Sequence, residues 1–168
     1  MNNTRTIKRC VGPIIYNQDG KIFLMKSHKW RLDENDEFGN VWIVPGGEIE
    51  KDDRGIEKET EEESLKREIT EELGIEIERI EKVGESKKSG ARNFKKPNID
   101  FEFIDFIART RQSDIAPNSE ITEYGWFTIA EAERLPLLDT TAAFIQKCKR
   151  LLEERVAEFR IELGLNKK

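Results

Sequence analysis

The sequence predicts an α+β domain built on a mixed sheet, and three observations lead there. The periodic segments run in the order strands, one helix, more strands, then helices, unlike the regular alternation of a doubly wound parallel sheet. Residues 61 to 73 carry helix signals at both ends, and the chain closes on a long stripe of apolar residues at three- and four-residue spacing. The phosphate-binding glycine patterns of dinucleotide and P-loop folds do not occur in the sequence.

Taken in order, "RCVGPIIYNQDGKIFLMKSH" (9 to 28) reads as two strands joined at an Asp19-Gly20 turn. A polar loop follows, "RLDENDEFGN". Its "DENDEFG" has Phe38 where a calcium loop requires glycine, so it is read as a hairpin tip. "VWIV" (41 to 44) reads as a short buried strand, closed at once by Pro45-Gly46-Gly47. After the polar stretch 48 to 59, Thr60 and Glu63 form a capping box and Gly74 a C-terminal stop, bounding a helix from about 61 to Leu73. "IEIERIEKVGES" and "NIDFEFIDFIART" alternate as strands around the loop "KKSGARNFKKPN". "TEYGWFT" is a last short strand before a helical turn from Ile129 to Leu135. From Thr140, Phe144, Cys148, Leu151, Leu152, Val156, Phe159 and Leu163 mark a long amphipathic helix.

At 168 residues the chain suits a single domain spanning 1–168, with a core over about 5–140 and a helical extension over about 140–164. The composition is 36% apolar and 38% charged with a net charge of -5 and no long basic block, which argues against general affinity for nucleic acid. Cys10 and Cys148 show no paired spacing, the start "MNNTRTIKRC" has no signal-peptide core, and no segment approaches the roughly 20 apolar residues a membrane helix needs. The expectation is a soluble, cytoplasmic protein with no membrane partner.

The chemistry gathers on "LKREITEELGI" (65 to 75). With Leu65, Ile69 and Leu73 as the buried stripe, Glu68, Glu71 and Glu72 share an adjacent face three and four residues apart, near the negative end of the helix dipole. Like charges there repel, so stability alone does not account for them, although a glutamate-rich helix face more often simply meets water. The glycine turn upstream can approach closely because it lacks side chains. Three carboxylates and a backbone carbonyl make a hard oxygen site, suited to Mg²⁺ or Mn²⁺ and poor for Zn²⁺.

Gly47, then Glu59, then seven residues, then "REITEELGI" from Arg67 to Ile75 resembles the signature of the Nudix hydrolases, with the second half matching at every position. The first half departs. Eleven residues, 48 to 58, stand where the family has five, a loop insertion of six expected to adjust substrate access and add little to the core. "VWIVPGG" and "EITEYGWFT" extend the resemblance.

It implies a Nudix-like α/β/α sandwich with a mixed sheet and a long C-terminal helix. It also implies Mg²⁺-dependent hydrolysis of a nucleoside diphosphate linked to another moiety, with nucleoside triphosphate pyrophosphohydrolase as the leading subtype. Glu68, Glu71, Glu72 and the Gly46 carbonyl would hold the metal, and Glu68 or a later loop glutamate would help deprotonate water. Arg67 would position carboxylates, Glu59 first among them. Glu120 is the leading additional carboxylate, Glu123 the second. Gly47, Glu59 and Arg92 fall to the substrate side, with Lys95 and Lys96 beside Arg92 in a basic loop. Trp30, Phe94 or Tyr16 could stack a nucleobase, Trp42 belongs to the core, and His28 is structural or touches substrate. Ala91 and Asn93 give no support to the ADP-ribose or dinucleoside polyphosphate subtypes. Two alternatives stand beside this: a non-catalytic nucleotide-sensing module, and a partner-binding protein or homodimer organised by the C-terminal helix.

Overall fold

The computed structural model describes residues 4–28, 40–89 and 98–165. Its elements are β1 (Thr6–Tyr16), β2 (Lys21–Ser27), β3 (Gly47–Glu48), α1 (Glu61–Leu73), β4 (Glu78–Ser89), β5 (Ile99–Arg109), β6 (Ile121–Thr128), α2 (Ile129–Ala132) and α3 (Asp139–Glu162). The strands form one sheet in the order β4-β5-β1-β2-β6, with β3 paired to β1. Among the described strands only β1 and β5 run parallel, over Thr6↔Ile99 to Tyr16↔Arg109, and the other pairs are antiparallel. The sheet is mixed, with α1 on one face and α3 on the other, in an α/β/α arrangement.

The β1–β2 hairpin forms at Asp19-Gly20, with Gly20 at φ 75 and the Asn17 side chain accepting from the Asp19 and Lys21 amides. Its strands then diverge. β1 meets β2 at Tyr16↔Ile22 and β3 at Cys10↔Glu48 and Val11↔Gly47. Between these pairings lies Pro13, which has no N–H to give a ladder on that side. The opening admits residues 42 to 47: Ile43 exchanges backbone hydrogen bonds with Met25, and the Pro45 carbonyl lies against Gly12. "VWIV" is therefore not a regular strand. Trp42 and Ile43 form isolated bridges to Leu137 and Met25, because the gap between β1 and β2 is only locally wide enough for a third chain.

Two other expectations shift. β4 continues through Lys87, Lys88 and Ser89, where "KKS" reads as loop, because β5 offers acidic partners such as Glu102 opposite Lys87. The turn after β6 is helical only over Ile129–Ala132, capped by Thr128 and Glu131. The hairpin tip read in "DENDEFG", the stacking candidates Trp30 and Phe94, and Arg92, Lys95 and Lys96 lie outside the described residues.

Alternation along β1 and β5 splits the core by face. Val11, Ile15, Ile104 and Phe106 pack beneath Leu65, Ile69 and Leu73 of α1. Ile14, Tyr16 and Ile107 pack against Phe144, Ile145, Cys148, Leu152 and Phe159 of α3. The apolar stripe of α3 thus covers the domain's own sheet, which removes the exposed face that a partner-binding or homodimer role for this helix requires; Ile161 near its end is the exception, 73% exposed. Tyr16 is 1% exposed and meets Phe159 edge-on, so it is a core residue and is not available to stack a base. Trp42 is also buried, edge-on to Phe127. Among the described residues no helix is long and apolar enough to cross a membrane.

Charged pairs fasten the far end of α3. Arg155 grips Glu81 of β4 at 2.7 and 2.9 Å, and Arg109 of β5 reaches Glu162 at 2.6 Å while its guanidinium lies 4.2 Å from the Phe159 ring centroid. Phe159→Ala removes a fully buried ring from this joint and is expected to cost about 3–5 kcal/mol. Urea unfolding of the two proteins measures it; a loss below about 1 kcal/mol would mean that the helix end is only loosely docked.

Candidate active site

Helix α1 is set by its ends. The Thr60 hydroxyl accepts from the Glu63 amide at 3.1 Å and the Glu63 carboxylate accepts from the Thr60 amide at 2.9 Å, while Gly74 takes φ 65 at the other end. Leu65, Ile69 and Leu73 are fully buried on the sheet, which turns Glu68 and Glu72 into the edge of the interface and Glu71 outward. Glu68 and Glu72 are 7% and 3% exposed.

The Pro45-Gly46-Gly47 turn lies against these two carboxylates. The Gly46 amide donates to Glu72 Oε1 at 3.3 Å, which ties the turn to the helix face. Gly46 sits at φ 146, where any Cβ would run into the Val11 carbonyl. At Gly47 a Cβ would fall inside the Glu68 carboxylate. Gly46 is therefore required by close approach to the backbone, and a side chain at Gly47 would displace the Glu68 carboxylate.

Arg67 gathers the neighbouring acids. Its Nε and one terminal nitrogen hold Glu59 at 2.9 and 2.6 Å, and the other reaches Glu68 at 3.0 Å and Glu71 at 3.1 Å. This bidentate grip holds the Glu59 carboxyl down at about 2, the Arg67 bonds outweighing partial burial. The inserted residues fold into a small hairpin. Asp52 accepts from the Arg54 and Ile56 amides, Gly55 turns at φ 77, and Lys51 bridges Glu57. The hairpin returns the chain so that Glu59 meets Arg67 despite the longer loop. Glu57 holds Arg9 of β1 at 2.6 and 2.8 Å.

Glu120 arrives by a different route. The last carbonyls of α1 have no partner within the helix; Leu73 O accepts from Ala116 and Glu72 O from Asn118, at 2.8 and 2.9 Å. The loop docked there carries Glu120, half-buried, whose amide is held by the Asn118 side chain and whose carbonyl accepts from the His28 amide. Glu123 is instead taken by Lys26 at 3.0 Å, on the exposed side of β6. Arg92 lies outside the described residues.

A cavity of about 240 Å³ opens from Gly46, Gly47 and Glu72 and runs under α3 to Asp105, Phe144 and Lys147. None of residues 48 to 58 lines it, so the insertion supports Arg67 and Arg9 and does not form the cavity wall. Asp105 and Lys147 are not among the residues the sequence reading singles out. A signal was there: Asp105 shares its strand phase with Phe101, Phe103 and Ile107, a carboxylate in an otherwise apolar row.

Among the described residues the acids do not form a closed metal cluster. The surroundings fit a hard cation all the same: two buried carboxylates against a turn kept clear of side chains, oxygen donors throughout, and a single Arg67 among Glu59, Glu68 and Glu71.

The family model described as the NUDIX domain matches residues 6–148. The chain belongs to the Nudix family. It is therefore a hydrolase of pyrophosphate bonds in nucleoside diphosphate-linked compounds, a family that uses divalent metal ions. The fold is similar to that of the MutT Nudix hydrolase of Burkholderia pseudomallei, at 24% identity and TM-score 0.66 over 84% of this chain and 98% of that one. It also resembles the E. coli ORF135 protein, at 22% identity and TM-score 0.64 over 92% and 97%. The Nudix domain of Shewanella oneidensis NrtR, solved with ADP ribose, is similar at 16% identity and TM-score 0.65 over 88% of each chain. Among curated proteins none matches.

Gly47→Ala is expected to push the Glu68 carboxylate aside and lower turnover by at least about ten-fold, with the melting temperature shifting far less. Kinetics and thermal unfolding on one preparation check this; unchanged turnover would show that the Glu68 position is not critical. For Glu59, the folded carboxyl lies near 2 against an ordinary 4.5. Its pairing stabilises the fold fully above about 4.5, and that contribution fades as pH falls through about 2. Wild type should thus exceed Glu59→Gln in urea midpoint at neutral pH, with the gap closing on acidification; a gap independent of pH would show that the charge is not what matters.

Proposed function

We propose that this Nudix hydrolase is a nucleoside triphosphate pyrophosphohydrolase, releasing nucleoside monophosphate and pyrophosphate with Mg²⁺, for which Mn²⁺ can substitute. The observation that carries the reading is the cavity of about 240 Å³, which is lined by the buried Glu72 beside Gly46 and Gly47 at one end and by α3 residues at the other, so that a nucleotide bound along it would set its phosphates by Glu72.

In this reading Glu68, Glu71 and Glu72 hold the ion, with the Gly46 carbonyl as a further oxygen donor. A hard divalent ion supplies neutralisation of the phosphates and a lowered pKa for the attacking water. Arg67 keeps Glu68 and Glu71 oriented, braced by Glu59. The water oxygen bonds to phosphorus, the bridging P–O bond breaks, its electrons leave on pyrophosphate, and the proton passes to a carboxylate. Glu120, tied to the end of α1 through Asn118, is the residue assigned to receive it, with Glu68 the other candidate. Gly47 leaves room for the Glu68 carboxylate and lines the cavity that takes the substrate. Buried Cys10 and Cys148, both outside any disulfide, agree with a cytoplasmic setting.

The test is product release from a panel of nucleoside triphosphates, with ADP ribose included because the Shewanella domain was solved with it. Triphosphates should give monophosphate and pyrophosphate in Mg²⁺ and nothing in EDTA. Exclusive cleavage of ADP ribose would replace the subtype, and full turnover by metal-free protein would remove the mechanism.

Glu72→Gln separates chemistry from stability. Turnover should fall by orders of magnitude, because a charged ligand is lost from the transition state. Metal-free stability should stay equal or rise by a few tenths of a kcal/mol as like-charge repulsion along α1 is relieved. Melting in EDTA and turnover in Mg²⁺ measure both. A variant less stable in EDTA, or one with wild-type turnover, defeats the assignment.

A further inference from the structure

The end of the cavity farthest from the carboxylates has its own chemistry. Asp105 stands in β5 with a glycine at the same register on each side, Gly12 in β1 and Gly84 in β4. The row is flat around one carboxylate. Lys147 of α3 comes down over Gly84, so closely that a Cβ there would collide with its ammonium. Lys147 and Asp105 both face the cavity and interact electrostatically, yet neither makes a hydrogen bond or ion pair with the other among the described residues. The carboxylate has no hydrogen-bond donor of its own there. Burial accordingly pushes its acid form up to about 6, against the opposing pull of Lys147 and Lys88. Half-buried and facing the cavity, the carboxylate can accept from a ligand that brings a donor.

We infer that Asp105 and Lys147 form the base-selecting end of the site and that the preferred substrate carries guanine. This rests on the nucleotide reading proposed above. An ionised carboxylate only accepts and an ammonium only donates. Guanine alone among the common bases presents two adjacent N–H donors beside a carbonyl acceptor, so N1–H and N2–H can go to Asp105 while O6 takes a proton from Lys147. Adenine and cytosine set a ring-nitrogen acceptor next to their amino group, and uracil flanks its single N–H with two carbonyls; each puts a lone pair against the carboxylate. Phe103 from the floor and Phe144 from the roof supply apolar walls for a flat ring.

The experiment measures binding of GMP, AMP, CMP and UMP to the full-length protein in EDTA by calorimetry, which removes any dependence on catalysis. Wild type should take GMP at least about ten-fold more tightly than UMP, the discrimination one bidentate pair supplies. Asp105→Asn should lose about ten-fold on GMP and narrow the gap, while keeping the wild-type melting temperature, since the carboxylate has no hydrogen bond to forfeit. Lys147→Gln, on the roof, should weaken GMP in the same way. Equal affinities for the four, or an Asp105→Asn protein that folds and still prefers GMP, overturns the assignment. Turnover of the four triphosphates separates the two readings. Hydrolysis without base preference overturns the role of Asp105 alone. GMP selection with no triphosphate hydrolysed supports Asp105 and overturns the proposed function.

Discussion

One guanidinium holds the candidate site of this molecule together. Arg67 joins the start of the insertion, through the Glu48 carbonyl at 3.2 Å, to its end at Glu59, and both to the helix face at Glu68 and Glu71. Lysine could not replace it, since a point charge on a flexible stem has no planar fork to reach acceptors on four residues in fixed directions. The surrounding acids push its own proton loss even farther from reach, with Glu59 the foremost cause. Because carboxylates outnumber this single cation, the cluster stays electron-rich, which is the electrostatic condition for drawing in a further positive charge.

The remaining parts are brought in by needs of the backbone. Pro13 has no N–H to give β2, the two strands part while β1 stays paired to β5, and the glycine turn enters through the gap. At the far end of α1 the unpaired carbonyls of Glu72 and Leu73 recruit the loop that carries Glu120. Neither device uses a side chain that touches the carboxylates, yet each decides where a candidate functional residue stands.

Much of this could be read from residue order, and the reason differs by element. Thr60, Glu63 and Gly74 act within one turn of where they sit, so α1 was legible to the residue. The hairpin at Asp19-Gly20 is equally local. "VWIV" misled because its apolar run records burial in the gap and carries no information about hydrogen-bonded neighbours. The part played by the insertion was hidden, since its hairpin depends on Asp52 folding back on Ile56 and its purpose on Arg9, 48 positions upstream of Glu57. The same holds for Asp105: the odd carboxylate is visible in the strand, but the lysine facing its cavity comes from a helix that sequence proximity does not connect to it.

The division of the core by the sheet has a consequence for how such a protein can change over evolutionary time. Side chains beneath α1 secure the helix that carries the candidate carboxylates, and those beneath α3 secure the cavity roof, with a layer of strands between them. Substitutions on opposite faces share few neighbours and should combine almost independently. A lineage can therefore reshape the cavity on the α3 side while the carboxylate-bearing face of α1 is inherited intact.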